Sequence, residues 1–243
     1  LHSFLRSAID CAYWDLFGKL ENKSFSGINQ LENKTLAESS ITISIAEIDE
    51  QIRKIENSFW NKFKVKCNGF NLKNTEKLLN LNRNIALDAN ASFTKEDCLF
   101  IQETSGFQKL MYIEQPLEIG NFGILKNGNS VNWMADEDCQ DITFLEKLKP
   151  YYSSINIKLM KCGGLTPALE MITEAKKLGY KIMLGCMTES SIGISAGCAI
   201  AGLLDFADLD GANLISNDYA TGSFVDNGKI ILSEKPGLGI ALL

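Results

Sequence analysis

Short apolar runs alternate with longer, polar-faced runs along almost the whole chain. Eight of the short runs read as strands: "ITISIA", "FKVKC", "IALDAN", "LMYIEQP", "VNWMADE", "SINIKLM", "YKIMLGC" and "FADLDG". Between several of them the apolar positions recur at helical spacing, in "AEIDEQIRKIENSF", "TKEDCLFIQETSG", "DITFLEKLKPYY", "TPALEMITEAKKLG" and "SIGISAGCAIAGLL". Thr166 followed by Pro167 predicts the start of the fourth of these helices, with threonine as N-cap and proline in the first turn. The connections after "FKVKC" and "IEQP" carry weaker signals, and "GNFGILKNGNS" predicts only a short or irregular helix. Ahead of the first strand, Leu5, Ile9, Tyr13, Leu16, Phe17 and Leu20 define an amphipathic helix whose apolar face needs a partner. Strands joined by crossovers pair in parallel, so eight of them in 243 residues predict an α/β fold closed into one barrel.

Charged residues placed on this frame sharpen it. Side chains alternate along a strand, so Lys64 and Lys66 share one face of "FKVKC" while Phe63, Val65 and Cys67 share the other. From Lys66 to Asp88 is 22 residues, to Glu114 a further 26, to Asp136 a further 22 and to Lys158 another 22. One ionisable residue therefore recurs near the C-terminal end of successive strands, each beside apolar neighbours that face the helices. Active sites of such barrels lie at that end. Three carboxylates on adjacent strands repel one another unless a cation joins them, and an all-oxygen set suits Mg²⁺. The alternative is that each acid is paired separately with a lysine or arginine. With a cation between them, Lys66 and Lys158 stand on opposite sides of it, an arrangement suited to taking a proton from a carbon next to a carboxylate. Lys64 and the metal would lower the pKa of Lys66 and fit it to act as a base.

Composition narrows the function classes. A net charge of −6 without a polybasic run gives no reason to expect nucleic acid. No apolar stretch reaches the length of a membrane span, and Asp10 and Asp15 interrupt what would be a signal peptide's apolar run. Seven cysteines without a C-x-x-C pair fit neither a disulfide framework nor a zinc site, which points to reduced thiols and a cytoplasmic location. His2 is the only histidine, so a Ser-His-Asp triad and histidine metal ligation in the barrel are unsupported.

The ordered set "KVK", "LDAN", "IEQP", "ADE" and "NIKLMKCGGL", closed by "DLDG", resembles the enolase superfamily, in its muconate-lactonizing-like lysine–lysine branch and most closely the dipeptide epimerases. The resemblance implies a TIM-like (β/α)7β barrel and the use of Lys or His bases with Mg²⁺. Carried over residue by residue, it makes Asp88, Glu114 and Asp136 the ligands of one Mg²⁺ and Lys66 and Lys158 the acid/base pair. It makes Lys64 a neighbour tuning Lys66 beside the substrate, and Asp208 and Asp210 the holders of a dipeptide's ammonium group. Thr188 and Glu189, at the end of the seventh strand, either line the pocket or cap the following helix. The implied partner is a small dipeptide or related carboxylate, with homo-oligomerisation left open.

The departures from the family pattern also shape the expectations. Family members carry an N-terminal α+β capping domain, whereas this chain starts at the helix that follows it, with Leu1 and not methionine. Residues 1–35 then read as a junction helix and connection, 36–225 as the barrel and 226–243 as a C-terminal segment. "LDANASF" lacks the usual glutamine after Asn90, and Asp138 stands where a serine is usual. The expected reaction is epimerisation of L-Ala-D/L-Glu-type dipeptides at the α-carbon beside the carboxylate. The same machinery would serve an o-succinylbenzoate synthase, an N-acylamino acid racemase or a muconate cycloisomerase, whose substrates lack the ammonium group. A Schiff-base aldolase with Lys158 as nucleophile leaves three acids without a purpose, and a truncated, non-catalytic barrel is the remaining alternative.

Overall fold

The structure, a computed structural model, describes residues 2–31, 34–128 and 131–243. Helix α1 (Ser3–Glu21) and the short α2 (Phe25–Ile28) precede β1 (Ile41–Ile43). The repeating part then runs α3 (Ile48–Glu56), β2 (Lys62–Lys66), α4 (Leu72–Leu79), β3 (Asn84–Asp88), α5 (Lys95–Glu103), β4 (Ile113–Glu114) and β5 (Trp133–Ala135). It continues through α6 (Leu145–Leu148), β6 (Ser154–Ile157), α7 (Leu159–Cys162), α8 (Leu165–Lys177), β7 (Lys181–Gly185), α9 (Ser191–Cys198) and β8 (Phe206–Asp208). All eight strands are parallel and pair in chain order. Closure comes from a parallel bridge between Ser39 and Ala207, with the Ser40 amide donating to the Ala207 carbonyl at 2.9 Å. The chain ends in the antiparallel pairs β9 (Ala220–Thr221) with β12 (Ala241–Leu242) and β10 (Phe224–Asp226) with β11 (Lys229–Ile231).

Period-two alternation sorts the core into two layers. Outward residues such as Phe63, Val65, Ile85, Leu87, Ile113, Trp133 and Ile155 pack under the helices in one large cluster. Inward residues Ala86, Tyr112, Met134 and Met183, with Phe206 against them, fill the lower barrel as a separate cluster. One step further along the same faces come Asp88, Glu114 and Asp136. Apolar packing below thus supports a polar layer above, at the strands' C-terminal ends.

The two weakly signalled connections resolve, and one local expectation changes. The connection after β2 holds a helix, α4, whose Asn71 side chain accepts from the Asn74 amide as N-cap. Among its described residues the connection after β4 contains only a 3₁₀ turn, Phe122–Ile124, in line with the short or irregular helix predicted there. Thr166 is not an N-cap: α8 starts at Leu165 with Gly164 as N-cap, two residues earlier. The Thr166 amide donates instead to Asp10 of α1 at 3.0 Å, and its hydroxyl accepts from Trp14 Nε1 at 2.9 Å. A neighbouring helix therefore supplies the cap.

That contact shows how α1 is mounted. Gly164, at φ +122°, lies so close to Asp10 that a Cβ there would come within 2.6 Å of the Asp10 Cβ, and Arg6 covers Gly163. The barrel thus takes the face bearing Arg6, Ser7, Asp10, Trp14 and Gly18. Leu5, Ile9, Tyr13, Leu16 and Leu20, expected to need a partner, remain exposed on the other side.

Candidate active site

Each strand ends where its ionisable residue is needed. In register, Lys66 lies beside Asp88, and Asp88 beside Glu114. Asp136 follows β5 directly, and Lys158 is the extended residue that joins β6 to α7. Since β2 and β6 are four strands apart in a ring of eight, Lys66 and Lys158 face each other across the mouth, with the three carboxylate-bearing strands between them.

The two lysines are held differently. Lys66 Nζ donates to Asp88 Oδ2 at 2.9 Å and Asn90 Oδ1 at 2.7 Å, and its side chain keeps 33% of its surface exposed. Asn90 has φ +40°, a left-handed conformation that asparagine tolerates better than most residues. Lys158 Nζ donates to Asp136 Oδ2 at 2.6 Å and is 14% exposed. Burial works against the Lys158 ammonium, but Asp136 beside it and Glu114 outweigh that, so its proton is held more tightly than an ordinary lysine's. Asp136 is also gripped by Lys161, which donates to its Oδ1 and its backbone carbonyl, both at 2.5 Å. Against the pull of burial, Lys161 and Lys158 hold the Asp136 carboxyl down at about 2.

Lys64 lies a layer lower and is buried. It forms an ion pair with Asp208 and approaches Glu114 Oε2 at 3.4 Å and Asp88 Oδ2 at 3.7 Å. Burial opposes its charge, yet Asp208, Glu114 and Asp88 together hold its proton far more tightly than usual. Asp208 also accepts from Ser40 Oγ at 3.3 Å. Lys64 and Asp208 were expected to face substrate, and here they bind each other beneath the mouth. Asp210 accepts from the Thr42 amide through Oδ2 at 2.6 Å, while among the described residues its Oδ1 has only the Cys186 thiol, at 3.8 Å. Thr188 is exposed on the loop after β7. Glu189 accepts from the Met187 amide at 3.0 Å and borders a small hollow of about 20 Å³ beside Lys158.

The donor set fits a hard cation, although it is not drawn together around one. Among the described residues no three His, Cys, Asp or Glu side chains converge closely enough to hold a metal ion as they stand. Lys66 and Lys158 each take one of the oxygens concerned, and Lys64 lies among the carboxylates. Glu114 nevertheless presents a buried Oε2 that makes no hydrogen bond among the described residues, the Lys64 ammonium at 3.4 Å being its nearest cation, while Asn156 Nδ2 fixes its Oε1 at 2.6 Å. A buried carboxylate oxygen left without a donor is costly, and a cation removes that cost. Four carboxylates (Asp88, Glu114, Asp136 and Asp208) are ion-paired with four ammonium groups (Lys64, Lys66, Lys158 and Lys161), and Glu137 and Asp210, which have no ion-pair partner among the described residues, add a formal surplus of negative charge.

Glu114 makes that surplus measurable. Burial pushes its carboxyl up to about 8, with Asp88 and Asp136 adding to the rise and Lys64 opposing it. Between its ordinary 4.5 and about 8, the folded protein keeps a proton that the unfolded chain releases. This contribution to stability is therefore present below the window and lost as pH rises through it. In chelator-treated protein, Glu114→Gln should remove the dependence. The parent's thermal midpoint should fall relative to the variant's from about pH 5 to about pH 8, and a constant difference over that range would refute the assignment.

Several of these residues carried no role in the sequence reading. Asn156 stands two residues before Lys158 and shares its face, so the parity that paired Lys64 with Lys66 also marks it. Lys161 lies one helical turn after Lys158, where strand parity no longer applies. Gln115, inside "IEQP", gave no signal beyond its place beside Glu114.

Comparison with known proteins finds relatives of the whole chain and of its fold. The enolase C-terminal domain-like family matches residues 47–243. An L-Ala-D/L-amino acid epimerase from a Maribacter species is 35% identical over 250 residues, which take in 100% of this chain and 74% of the relative. The crystal structure of a dipeptide epimerase from Methylococcus capsulatus complexed with Mg ion superposes with a TM-score of 0.88 at 27% identity, covering 100% of this chain and 75% of that one. The same organism's dipeptide epimerase with Mg and the dipeptide L-Arg-D-Lys gives 0.85 at 27% identity, covering 99% and 73%.

Proposed function

The chain belongs to the enolase C-terminal domain-like family, and from that premise we propose that it is a dipeptide epimerase of the L-Ala-D/L-Glu type. It inverts the α-carbon next to the substrate's carboxylate by two-base proton transfer. The observation that carries this reading is the placement of Lys66 and Lys158 across the mouth from each other, with Asp88, Glu114 and Asp136 on the strands between. Those three carboxylates would hold a divalent cation, Mg²⁺ by the chemistry of the donor set. When bound, the cation supplies positive charge at the substrate's carboxylate and so acidifies the neighbouring C–H.

The remaining roles belong to the chain's own side chains. In one direction Lys66 removes the α-proton from its side and Lys158 delivers one from the opposite side; in the other direction the roles exchange. The lysine that accepts must start neutral and the one that donates must start charged. Lys158, whose proton is tightly held beside Asp136, is set as the donor in the metal-free arrangement. Lys64 compensates the buried acids below. Free thiols at all seven cysteines are in keeping with a reducing, cytoplasmic setting, and among the described residues no helix is long and apolar enough to cross a membrane.

Asp210 favours a substrate with a free ammonium group over the amine-free acids. Its Oδ1 lacks a strong donor, whereas Asp208, two residues earlier, is already neutralised by Lys64. Asp210→Asn should lower kcat/KM for free dipeptides by the equivalent of about 2–5 kcal/mol, the range for breaking a buried charge pair. N-acetylated dipeptides should lose far less. Chiral-phase chromatography of both panels decides between the readings: faster turnover of N-acyl or amine-free acids by the parent would favour the racemase or synthase chemistry.

A further inference from the structure

Behind the three carboxylates lies a buried polar cluster that meets the site through the backbone of Asp136. Gln115 is fully buried, with φ +35°. Its Oε1 accepts the backbone amides of both Asp136 and Asp138 at 3.1 Å. Its Nε2 donates to the Leu117 carbonyl at 2.8 Å and to Asp138 Oδ2 at 2.9 Å. Asp138 is 3% exposed, and among the described residues no lysine or arginine pairs with it. Three donors satisfy it: Gln115 Nε2, the Gly120 amide at 2.8 Å to Oδ1, and the Tyr152 hydroxyl at 2.8 Å to Oδ2.

We propose that Asp138 is a positioning residue for Asp136, acting through the orientation of the Gln115 amide. The two backbone amides at the end of β5 can only donate, so the Gln115 carbonyl oxygen faces them and its NH₂ faces the Leu117 carbonyl and Asp138 Oδ2. Turning the amide over would set NH₂ against two N–H donors and oxygen against a carboxylate. Asp138 thereby helps to exclude the flipped state and to fix the backbone from which Asp136 projects. The Gly120 contact ties down the connection after β4, which has no α-helix among its described residues to brace it. A hydroxyl-bearing residue at 138 would offer one oxygen that both donates and accepts, and it could not serve Gln115, Gly120 and Tyr152 together.

The inference rests on the proposed role of Asp136 as a cation ligand, and its test has two readouts that separate the claims. Asp138→Asn replaces one acceptor with a donor, and Gln115→Met removes the acceptor for the two amides at similar volume. Tyr152→Phe serves as control, since it deletes one donor and leaves the Gln115–Asp138 bond intact. The first readout is hydrogen exchange in the metal-free whole chain. Asp138→Asn and Gln115→Met should lower protection of the Asp136 and Asp138 amides about tenfold or more, while the Tyr152→Phe variant keeps it. The second is Mg²⁺ titration by calorimetry, where loss of a group supporting a metal ligand costs about 10–100-fold in affinity. The first two variants should show that loss, and Tyr152→Phe should stay within about twofold. Unchanged protection in either of the first two variants overturns the inference, as does parental Mg²⁺ affinity in a folded one. Equal losses in the Tyr152→Phe variant, or failure of both other variants to fold, would make the cluster a core contact and also overturn it. A parent that binds no Mg²⁺ while the exchange pattern holds would instead count against the cation reading of Asp136.

Discussion

Replacing Lys66 or Lys158 with alanine should abolish epimerisation while leaving the fold intact. Each contributes one proton transfer of a reaction that needs two, and loss of a positioned acid or base costs roughly 10²–10⁴ in rate. Neither lysine supports the core: Lys66 is one-third exposed, and among the described residues Lys158 meets only Asp136 in an ion pair. The two variants should differ in one respect. If Lys66 remains, it can still take the α-proton from the epimer that presents C–H to its side, so that epimer alone should exchange its α-hydrogen with solvent. With Lys158 remaining, the other epimer should exchange. Proton NMR of each dipeptide epimer in D₂O reads this directly, and exchange of the same epimer in both variants would rule out placement on opposite faces.

Lys64→Met should produce the largest loss of stability. Asp208, Glu114 and Asp88 surround this buried ammonium, and removing it leaves their charges uncompensated below the mouth. Breaking a buried ion pair from one side costs about 3–5 kcal/mol. The sign of the pH dependence follows from the acids left behind. Without Lys64 they are ionised only at a cost, so the deficit should be largest at neutral pH and shrink as acidification protonates them. Urea unfolding at a series of pH values checks this. A deficit independent of pH would mean that lost packing, and not lost charge, is responsible.

Strand parity accounts for most of what was legible from residue order. It separated Ile85 and Leu87 from Asp88, and Ile113 from Glu114, before any fold was known, and the layers of the barrel follow that division. Depth along the barrel axis was not legible. Two residues along a strand span about 6.6 Å, so Lys64 and Asp208 share faces with Lys66 and Asp210 yet lie a layer below them. Parity gives the face, while the pairing of strands across the barrel closure gives the level, and the link between Lys64 and Asp208 spans 144 residues. The start of α8 was misplaced for a related reason: the donor at Thr166 is satisfied by Asp10, 156 residues away. Lys161 escaped notice because the chain turns helical directly after Lys158, where an i,i+3 relation replaces alternation.

The central claim is that this barrel moves a proton on and off the carbon beside a carboxylate without breaking any other bond. Incubating the whole chain with Mg²⁺ and single epimers of L-Ala-containing dipeptides in D₂O tests it most directly, read by mass and by chiral separation. The account predicts that epimerised product gains one deuterium, at the α-carbon next to the C-terminal carboxylate. Epimerised product without deuterium, or a mass change that reports elimination of a substrate group, would contradict it.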